Sequence, residues 1–248
     1  MDSICQEVSR LLKAAHRILF ITGAGISAGS GLPTYRGVGG LYNDEMTSDG
    51  MPIEDALSGQ CLASHPEITW KYLEQIEQNC RSVSPNAGHR AIARLERWLD
   101  VVILTQNIDG LHALAGSTNI IEIHGNLGKR FCQNCGTPAD ADDKSMPPRC
   151  GSCGKVVRPA VVLFGERLPE AAISQLGEEM SHGFDMVFIV GTSALFPYIT
   201  EPALQAMREG TPVVEINPAR THLSDLVPYY IPMPAEEALP QICPNENK

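Results

Sequence analysis

Hydrophobic and polar positions along this chain predict short strands separated by helices. Apolar residues recur at helical spacing between residues 3 and 15, and the apolar run Ile18 to Ile21 then fits a buried strand. Further strands are predicted in 101–105, 119–124, 185–190, 211–216 and 226–232, and further helices in 52–57, 65–79, 86–98, 169–181, 201–209 and 235–242. This alternation favours an α/β fold with a mostly parallel sheet covered on both faces. Ser84 is a candidate N-cap for the helix at 86–98.

The turn after the first strand is the stretch around which the pattern is arranged. Residues 23–28 read Gly-Ala-Gly-Ile-Ser-Ala, the G-x-G-x-x-A form of the dinucleotide fingerprint placed directly after a strand. Its glycines allow a tight turn and a close approach to a pyrophosphate, and the next helix N-terminus would direct N–H groups and a positive dipole end at that anion. The alternative is a glycine-rich turn of any α/β protein, because this motif alone is weakly specific.

The distance to the next strand departs from an ordinary dinucleotide unit. Roughly 80 residues separate Gly23 from the strand at 101–105, whereas such a unit completes its second strand within ~30 residues and carries an acidic residue at its end. Either the fingerprint is accidental or a large helical insert interrupts the unit. The aperiodic segment 36–55 holds four glycines; it is expected to form either a mobile loop that closes over a ligand or a passive connection.

Small and polar residues follow several of the predicted strands. They are Thr22-Gly23, Thr105-Gln106-Asn107, His124, Gly191-Thr192-Ser193 and Asn217. Ligands of open α/β sheets bind beyond the strand carboxyl ends, so these residues are expected to converge on one crevice. Asp109, His124 and Arg36 are its ionisable members. His124 is the natural acid–base candidate because imidazole titrates near neutral pH, with a purely structural histidine as the alternative.

Composition and charge narrow the class of protein. A chain of 248 residues with 43% hydrophobic content suits one large α/β domain, with or without a small insert. No apolar run approaches the ~20 residues of a membrane span and no secretory signal is recognisable, so a cytoplasmic protein with no membrane partner is expected. The net charge of −10 argues against nucleic acid as a partner and would suit a cationic one such as a lysine-rich peptide.

Four of the eight cysteines form two C-x-x-C pairs. Cys132 and Cys135 are separated from Cys150 and Cys153 by 14 residues. In a chain without an export signal this spacing predicts a structural zinc site, because four thiolates complete a tetrahedral shell and leave no position for a reacting water. Four reduced cysteines without a metal are the alternative.

Together these motifs resemble those of the sirtuin family. The residues that carry the resemblance are, in chain order, 23–28 with Ser30, Gly31, Pro33 and Arg36, then Thr105-Gln106-Asn107-Ile108-Asp109-Gly110-Leu111-His112, His124-Gly125, the two C-x-x-C pairs, 159–166, Gly191-Thr192-Ser193 and Ile216-Asn217. They follow the family's order and cover residues 17 to about 240. The chain therefore resembles a bacterial-type sirtuin of minimal length.

The resemblance implies an α/β fold in which a Rossmann-like parallel sheet carries an inserted small zinc-binding and helical module. The Rossmann-like NAD-binding domain would comprise residues 1–44, 98–128 and 157–248. The helical part of the small module would be 45–97, and its zinc-binding part 129–156. Such an insert would account for the long distance between the glycine turn and the second strand.

The resemblance also implies an activity: NAD-dependent removal of acyl groups, chiefly acetyl, from protein lysine. The acyl oxygen would attack C1′ of the nicotinamide ribose as nicotinamide leaves, and the products would be free lysine and an acyl-ADP-ribose. His124 would act as general base on a ribose hydroxyl. Asn107 and Asp109 would orient the ribose and the nicotinamide amide, and Arg36 would anchor the loop and the cofactor.

A wider set of residues is expected to hold the ligands. The positions expected to contact NAD are Gly23, Ala24, Gly25, Ser27, Ala28, Pro33, Thr34, Tyr35, Arg36, Gln106, Asn107, Ile108, Asp109, Gly191, Thr192, Ser193, Asn217 and Ala235. The positions expected to contact an acylated lysine peptide are Tyr72, Val162, Phe164, Gly165 and Glu166. Residues 162–166 would offer that peptide an extended edge, as in β-augmentation.

Two positions depart from the family's pattern. Tyr35 stands where the family usually has Phe, which keeps the ring and adds a hydroxyl to the nicotinamide pocket. Sirtuins that prefer acidic acyl groups carry a Tyr and an Arg three apart, whereas here Tyr72 is followed at that spacing by Gln75. A succinyl group would lose its bidentate cationic partner, so acetyl or other neutral chains are expected.

Three other functions remain as alternatives. ADP-ribosyl transfer or NAD hydrolysis would use the same scaffold. A non-catalytic zinc-ribbon module that binds nucleic acid or protein is disfavoured by the acidic charge and the full set of crevice motifs. A redox dehydrogenase is disfavoured because the acidic residue at the end of the second strand of a dinucleotide unit is missing.

Overall fold

A parallel sheet forms the centre of the molecule. The computed structural model describes residues 3–34, 46–139 and 145–243. In these ranges the strands are β1 (Arg17–Thr22), β2 (Asp100–Thr105), β3 (Ile120–Glu122), β4 (Gly125–Cys132), β5 (Val157–Val161), β6 (Met186–Val190), β7 (Val213–Ile216) and β8 (Tyr229–Ile231). The helices are α1 (Ser3–Ala14), α2 (Gly25–Ala28), α3 (Ile53–Ala56), α4 (Gly59–Ser64), α5 (Pro66–Arg81), α6 (Ala87–Leu95), α7 (Leu111–Ala115), α8 (Glu170–Ser181), α9 (Pro197–Arg208) and α10 (Ala235–Ile242).

The order of the strands creates a crevice. Six strands pair in the order β3-β2-β1-β6-β7-β8, and every pair in this sheet is parallel. The chain leaves β1 towards one edge and returns at β6 towards the other, so the strand order reverses between these two neighbours. A crevice opens beyond the carboxyl ends of the strands at such a switch point. The predicted fold class is confirmed.

Side chains of β1 alternate between two apolar layers. Ile18 and Phe20 lie in the cluster that includes buried residues of α1, α6 and α10. Leu19 and Ile21 lie in the cluster that includes α8 and α9. Because successive strand residues point to opposite faces, a strand covered on both sides must be apolar throughout. The ring of Phe20 also stacks on that of Phe188 in β6, with centroids 4.7 Å apart.

A third apolar cluster joins two distant parts of the sequence. Buried residues of α3, α4 and α5 pack against the antiparallel pair β4–β5, and the cluster also includes Cys132, the last residue of β4, and Cys150. Trp70 is fully buried there and donates from Nε1 to the carbonyl of Val157 at 2.9 Å. The helical segment and the cysteine-bearing segment therefore share one core.

Several element boundaries differ from those predicted. Asn86, and not Ser84, caps α6: its side chain accepts from the N–H groups of Gly88 and His89, and the His89 side chain returns a capping-box contact. Helix α9 begins at Pro197 instead of residue 201, because Pro is well suited to the first helical position. Within the described residues, no helix combines the length and the apolar character needed to cross a membrane.

A buried ion pair connects α5 to β4. Arg130 Nη2 lies 2.6 Å from Glu77 Oε2, and the two side chains are only 5% and 8% exposed. Arg130 also lies over the ring of Trp70, 5.1 Å from its centroid. Arg81 is a second cation on Glu77, but its own side chain is 56% exposed. The negative charge of Glu77 therefore neutralises the buried positive charge of Arg130.

Replacing Glu77 by Ala is expected to lower the free energy of unfolding by about 3–5 kcal/mol, because removing one partner leaves an uncompensated buried charge. Urea unfolding followed by circular dichroism measures the change. Glu67→Ala is the matched control: Glu67 lies on the same helix with its side chain 61% exposed, and its loss should cost less than about 0.5 kcal/mol. Equal effects of the two substitutions would contradict the role of the ion pair.

Candidate functional site

The turns after β1 and β6 meet backbone to backbone at the switch point. The N–H of Gly25 donates to the carbonyl of Gly191 at 2.7 Å, and the N–H of Gly23 donates to that of Val190 at 3.1 Å. A Cβ on Gly25 would lie 2.6 Å from the Cα of Gly191. Residues with side chains cannot approach this closely, so positions 25 and 191 both require glycine.

The helix that follows this turn is shorter than the fingerprint suggests. Helix α2 spans only Gly25–Ala28, a single turn. A macrodipole is the sum of many aligned peptide units, so one turn contributes little of the anion-binding dipole expected from sequence. What this segment offers a phosphate is the close approach to the backbone that its glycines allow.

The turns after β2 and β7 reach the same crevice. Gln106 donates from its side chain to Thr192 Oγ1 at 2.7 Å, and its backbone N–H donates to the carbonyl of Thr22 at 3.0 Å. Asn217 donates from Nδ2 to the carbonyl of Thr192 at 3.0 Å. Ser193 lies exposed beside Thr192. The strand-end residues that the sequence predicted to converge are thus joined by hydrogen bonds.

Asn107 and Asp109 are held by the glycine turn. Asn107 is buried and donates from Nδ2 to the Gly23 carbonyl at 3.1 Å and to Ser27 Oγ at 3.2 Å. Ser27 Oγ donates in turn to Asp109 Oδ2 at 2.7 Å, and the N–H of Leu111 donates to the other carboxylate oxygen at 2.9 Å. Burial raises the pKa of Asp109, against the lowering effect of these two hydrogen bonds.

A small cavity lies against this cluster. Its walls include Ala24, Pro33 and Asp109 from the sheet side and Ile76 and Cys80 from α5. Burial raises the pKa of the Cys80 thiol to about 12, with the nearby Asp109 charge as the next cause. The thiol therefore stays protonated at neutral pH, and this cavity presents a mostly apolar wall opposite one carboxyl group.

His124 lies just beyond the end of β3 with both ring nitrogens engaged. Nδ1 lies 3.0 Å from the carbonyl of Gln106, and Nε2 lies 2.8 Å from the hydroxyl of Tyr198. A carbonyl only accepts, so Nδ1 carries the proton and Nε2 carries the lone pair. Burial lowers the pKa of His124, outweighing the opposite effect of the Gln106 carbonyl. The geometry is that of a neutral imidazole with a basic nitrogen at the crevice.

Buried polar residues beneath the crevice support this site. His112 Nε2 lies 3.0 Å from Thr22 Oγ1, and that hydroxyl is paired with Thr105 Oγ1 at 2.9 Å. Burial lowers the pKa of His112 to about 3 and that of His89 to about 4. Both rings are therefore neutral structural groups. Thr22 and Thr105 belong to the strand-end residues expected at the crevice, and His112 belongs to the motif at 105–112, whereas nothing in the local sequence indicated a role for His89.

The segment predicted to bind a peptide already makes backbone contacts within the chain. The backbone N–H of Phe164 donates to the Leu57 carbonyl at 3.0 Å, and the Phe164 carbonyl accepts from the Gly59 N–H at 3.1 Å. Val162 donates to the carbonyl of His124 at 2.9 Å, which places this segment beside the crevice. Gly165 lies exposed in the following turn.

Glu166 is tied into the fold. Its carboxylate accepts from both Nη1 and Nη2 of Arg158, at 2.7 and 2.8 Å, and from the Leu163 N–H at 2.9 Å. Burial raises the pKa of Glu166, but these hydrogen bonds and the Arg158 charge outweigh it and lower the pKa. Glu166 thus stabilises the turn at 163–166.

The remaining predicted positions that the structure describes differ in burial and in their contacts. Ala28 is exposed on α2, Thr34 is the last residue described before the gap at 35–45, and Ile108 accepts at its carbonyl from Leu127. Ala235 is buried in the core at the start of α10. Tyr35 and Arg36, and much of the predicted loop at 36–55, lie outside the described residues.

The hydroxyl of Tyr72 is engaged by an acidic neighbour. It donates to Asp49 Oδ2 and lies 3.2 Å from Ser48 Oγ. Lys71 pairs with the same carboxylate at 2.7 Å. The hydrogen bonds from Lys71 and Tyr72 lower the pKa of Asp49. Gln75, one turn further along α5, is exposed.

The four cysteines of the two C-x-x-C pairs meet at the end of β4–β5. Their sulfur atoms all lie within 4.8 Å of one another. Zinc–sulfur bonds of about 2.3 Å in a tetrahedron separate the sulfurs by about 3.8 Å, so the set fits one zinc ion. Hydrogen bonds from Thr137 lower the pKa of Cys135 to about 6, which favours the thiolate that a metal needs. The predicted cluster is confirmed.

Comparison with known proteins places the chain among relatives of similar length. It is 49% identical over 242 residues to "NAD-dependent protein deacylase 2" of Pseudomonas aeruginosa, covering 95% of this chain and 94% of the relative. It is 49% identical over 222 residues to the protein of the same name from Pseudomonas syringae pv. tomato, covering 87% and 89%.

Solved structures show the same architecture. A Sir2 homologue in complex with NAD superposes with a TM-score of 0.85 at 32% identity, covering 98% of this chain and 93% of that one. A Sir2 complex with a deacetylated p53 peptide and 3′-O-acetyl ADP ribose gives a TM-score of 0.85 at 28% identity, covering 96% of both chains. The model of the family described as "Sir2 family" matches residues 23–196. A match over most of the chain, with relatives 49% identical to it, shows that this protein belongs to the Sir2 family.

Proposed function

We propose that this protein removes acyl groups from lysine side chains of proteins, with NAD as the co-substrate that accepts the acyl group. The observation that carries the proposal is the neutral His124 whose basic nitrogen faces the crevice. The names of the Pseudomonas relatives and the ligands of the related Sir2 structures support it.

The residues at the switch point fit NAD. Gly23, Gly25 and Gly191 present backbone without side chains, as a pyrophosphate requires. Thr192 and Asn217, joined by a hydrogen bond at the ends of β6 and β7, would bind the adenosine part. NAD supplies the ribose that accepts the acyl group.

The Asp109 cavity suits the nicotinamide end of the same molecule. Ser27 and Asn107 hold Asp109 in place from below, and Ile76 and Cys80 form the apolar part of the opposite wall, beside Asn79 of the same helix. One carboxyl group can bind the carboxamide, while the apolar wall packs on the ring and excludes water. We assign His124 the role of general base. Nε2 accepts a proton from a ribose hydroxyl, while Nδ1–H continues to donate its hydrogen bond to the Gln106 carbonyl.

We further propose that neutral acyl chains, acetyl above all, are preferred. The hydroxyl of Tyr72 is engaged by the Asp49 carboxylate, and Lys71 pairs with that carboxylate, so neither group is free to bind an acidic chain. Gln75 offers that chain no cation three residues further on.

We propose, finally, that the small module comprises residues 45–97 and 129–156. The shared core of α3–α5 and β4–β5 supports grouping the two segments, whereas α6 packs in the cluster with α1 and α10, and β5 follows the second segment. The four sulfurs would hold zinc as a structural cross-link. Because they must remain reduced, a reducing compartment, the cytoplasm, is the expected location.

Replacing His124 by Ala is expected to slow deacylation about 10²- to 10⁴-fold, because the general base is lost. Mass spectrometry of an acetyl-lysine peptide incubated with NAD measures the rate. The activity of the native protein should fall with decreasing pH only below 6.5, the usual histidine pKa, since the catalytic form is neutral and burial lowers the pKa. His65→Ala, at a side chain that is 60% exposed, is the control. Deacylation by His124→Ala at near wild-type rate would refute the mechanism.

Acetyl and succinyl versions of one peptide are expected to differ, with the acetyl form turned over faster. Gln75→Arg should narrow this difference, because it supplies a cation three residues from Tyr72. Gln78→Arg adds the same charge at another exposed position of α5 and should leave the ratio unchanged. Equal or faster turnover of the succinyl peptide by the native protein would contradict the proposed preference.

The purified protein is expected to hold roughly one zinc ion per chain, by atomic emission, and Cys135→Ser should lose most of it because the tetrahedral shell is broken. Chelation should also lower the unfolding temperature, since metal binding stabilises the folded form. Cys61→Ser, which is outside the cluster, should keep its metal. Metal-free protein of undiminished stability would contradict the site.

A further inference from the structure

A tyrosine occupies the nitrogen of His124 that the proposed reaction needs. Tyr198 lies in the first turn of α9, and its hydroxyl is 2.8 Å from Nε2. Because Nδ1 carries the proton and donates it in a hydrogen bond to the Gln106 carbonyl, Nε2 of the neutral ring is an acceptor and the Tyr198 hydroxyl is the donor. Burial raises the pKa of Tyr198, so this hydroxyl keeps its proton.

Aromatic rings hold this hydroxyl in place. The Phe196 and Tyr198 rings stack with centroids 5.4 Å apart and planes 12° from parallel. Both rings stand edge-on to His124, at 6.3 and 5.9 Å. Ile199, fully buried beside them, anchors the start of the helix. The contact between Tyr198 and His124 is therefore part of a packed aromatic group beside the crevice.

The imidazole has one acceptor lone pair, and a single hydroxyl fills it. A ribose hydroxyl can give its proton to Nε2 only after the hydroxyl of Tyr198 has left. Tyr198 is partly exposed, so its released hydroxyl can bond to water. The exchange breaks and forms hydrogen bonds only.

We propose that Tyr198 is a positioning residue that holds Nε2 of His124 in the resting protein and is replaced there by a ribose hydroxyl of NAD. This inference rests on the proposed function. Its consequence is that part of the binding energy of NAD is used to displace Tyr198. Removing the hydroxyl should therefore strengthen NAD binding.

Tyr198→Phe keeps the ring and its stacking while deleting the hydroxyl. It is expected to lower the dissociation constant of NAD roughly two- to tenfold, the range that one net hydrogen bond supplies. Calorimetry without any acyl peptide measures this value. In a His124→Ala background the same substitution should have no effect, because no Nε2 remains to be freed. In steady state, KM for NAD should fall by the same factor, with kcat within about twofold of the native value.

Tyr229→Phe is the matched control. Its hydroxyl is bonded to Glu7 on α1, away from the crevice, so its removal should leave NAD affinity unchanged. Unchanged or weaker NAD binding by Tyr198→Phe would overturn the proposal, as would an equal gain in the His124→Ala background. A large fall in kcat would overturn it too, since the hydroxyl would then act in the chemistry. A native protein that binds NAD but does not deacylate would contradict only the proposed function, whereas absence of NAD binding would overturn both.

Discussion

Two glycines meet backbone to backbone where the strand order reverses, and the crevice depends on this contact. The N–H of Gly25 donates to the carbonyl of Gly191 at 2.7 Å, and a Cβ on Gly191 would lie 2.5 Å from the backbone of Gly25. Any side chain at either position would push the turns after β1 and β6 apart. Gln106 and Thr192 are paired across the same edge, so the separation would also displace the residues that orient Asp109 and His124.

The second constraint comes from the small core built on α5. This helix carries Glu77, which neutralises the buried Arg130 of β4, and Ile76 and Cys80, which close the cavity opposite Asp109. One helix thus links the cysteine-bearing strands to the wall of the site. Zinc bound by the four sulfurs would brace those strands, so a metal remote from the crevice would still act on its shape through α5.

Much of the framework could be predicted from sequence because it rests on local patterns. Continuous apolar runs identified β1, β2, β6 and β7, since a strand covered on both faces has no polar side. The spacing of the C-x-x-C pairs predicted the four-sulfur cluster, and small or polar residues at strand ends predicted the crevice. The family resemblance, carried by the same motifs, is confirmed by the match of the family model.

Tertiary structure alone decided which partner each polar group received. Sequence indicated His124 as a base, but Tyr198, 74 residues away, occupies its free nitrogen. Glu166 was expected to meet a peptide, yet Arg158 engages its carboxylate. Asn86 displaced Ser84 as the cap of α6 because its side chain reaches both the helix N–H groups and the Ile26 carbonyl. Whether a hydrogen bond forms depends on differences of a few tenths of an ångström in the distance between donor and acceptor. Periodicity and motif spacing carry no such information about distant segments.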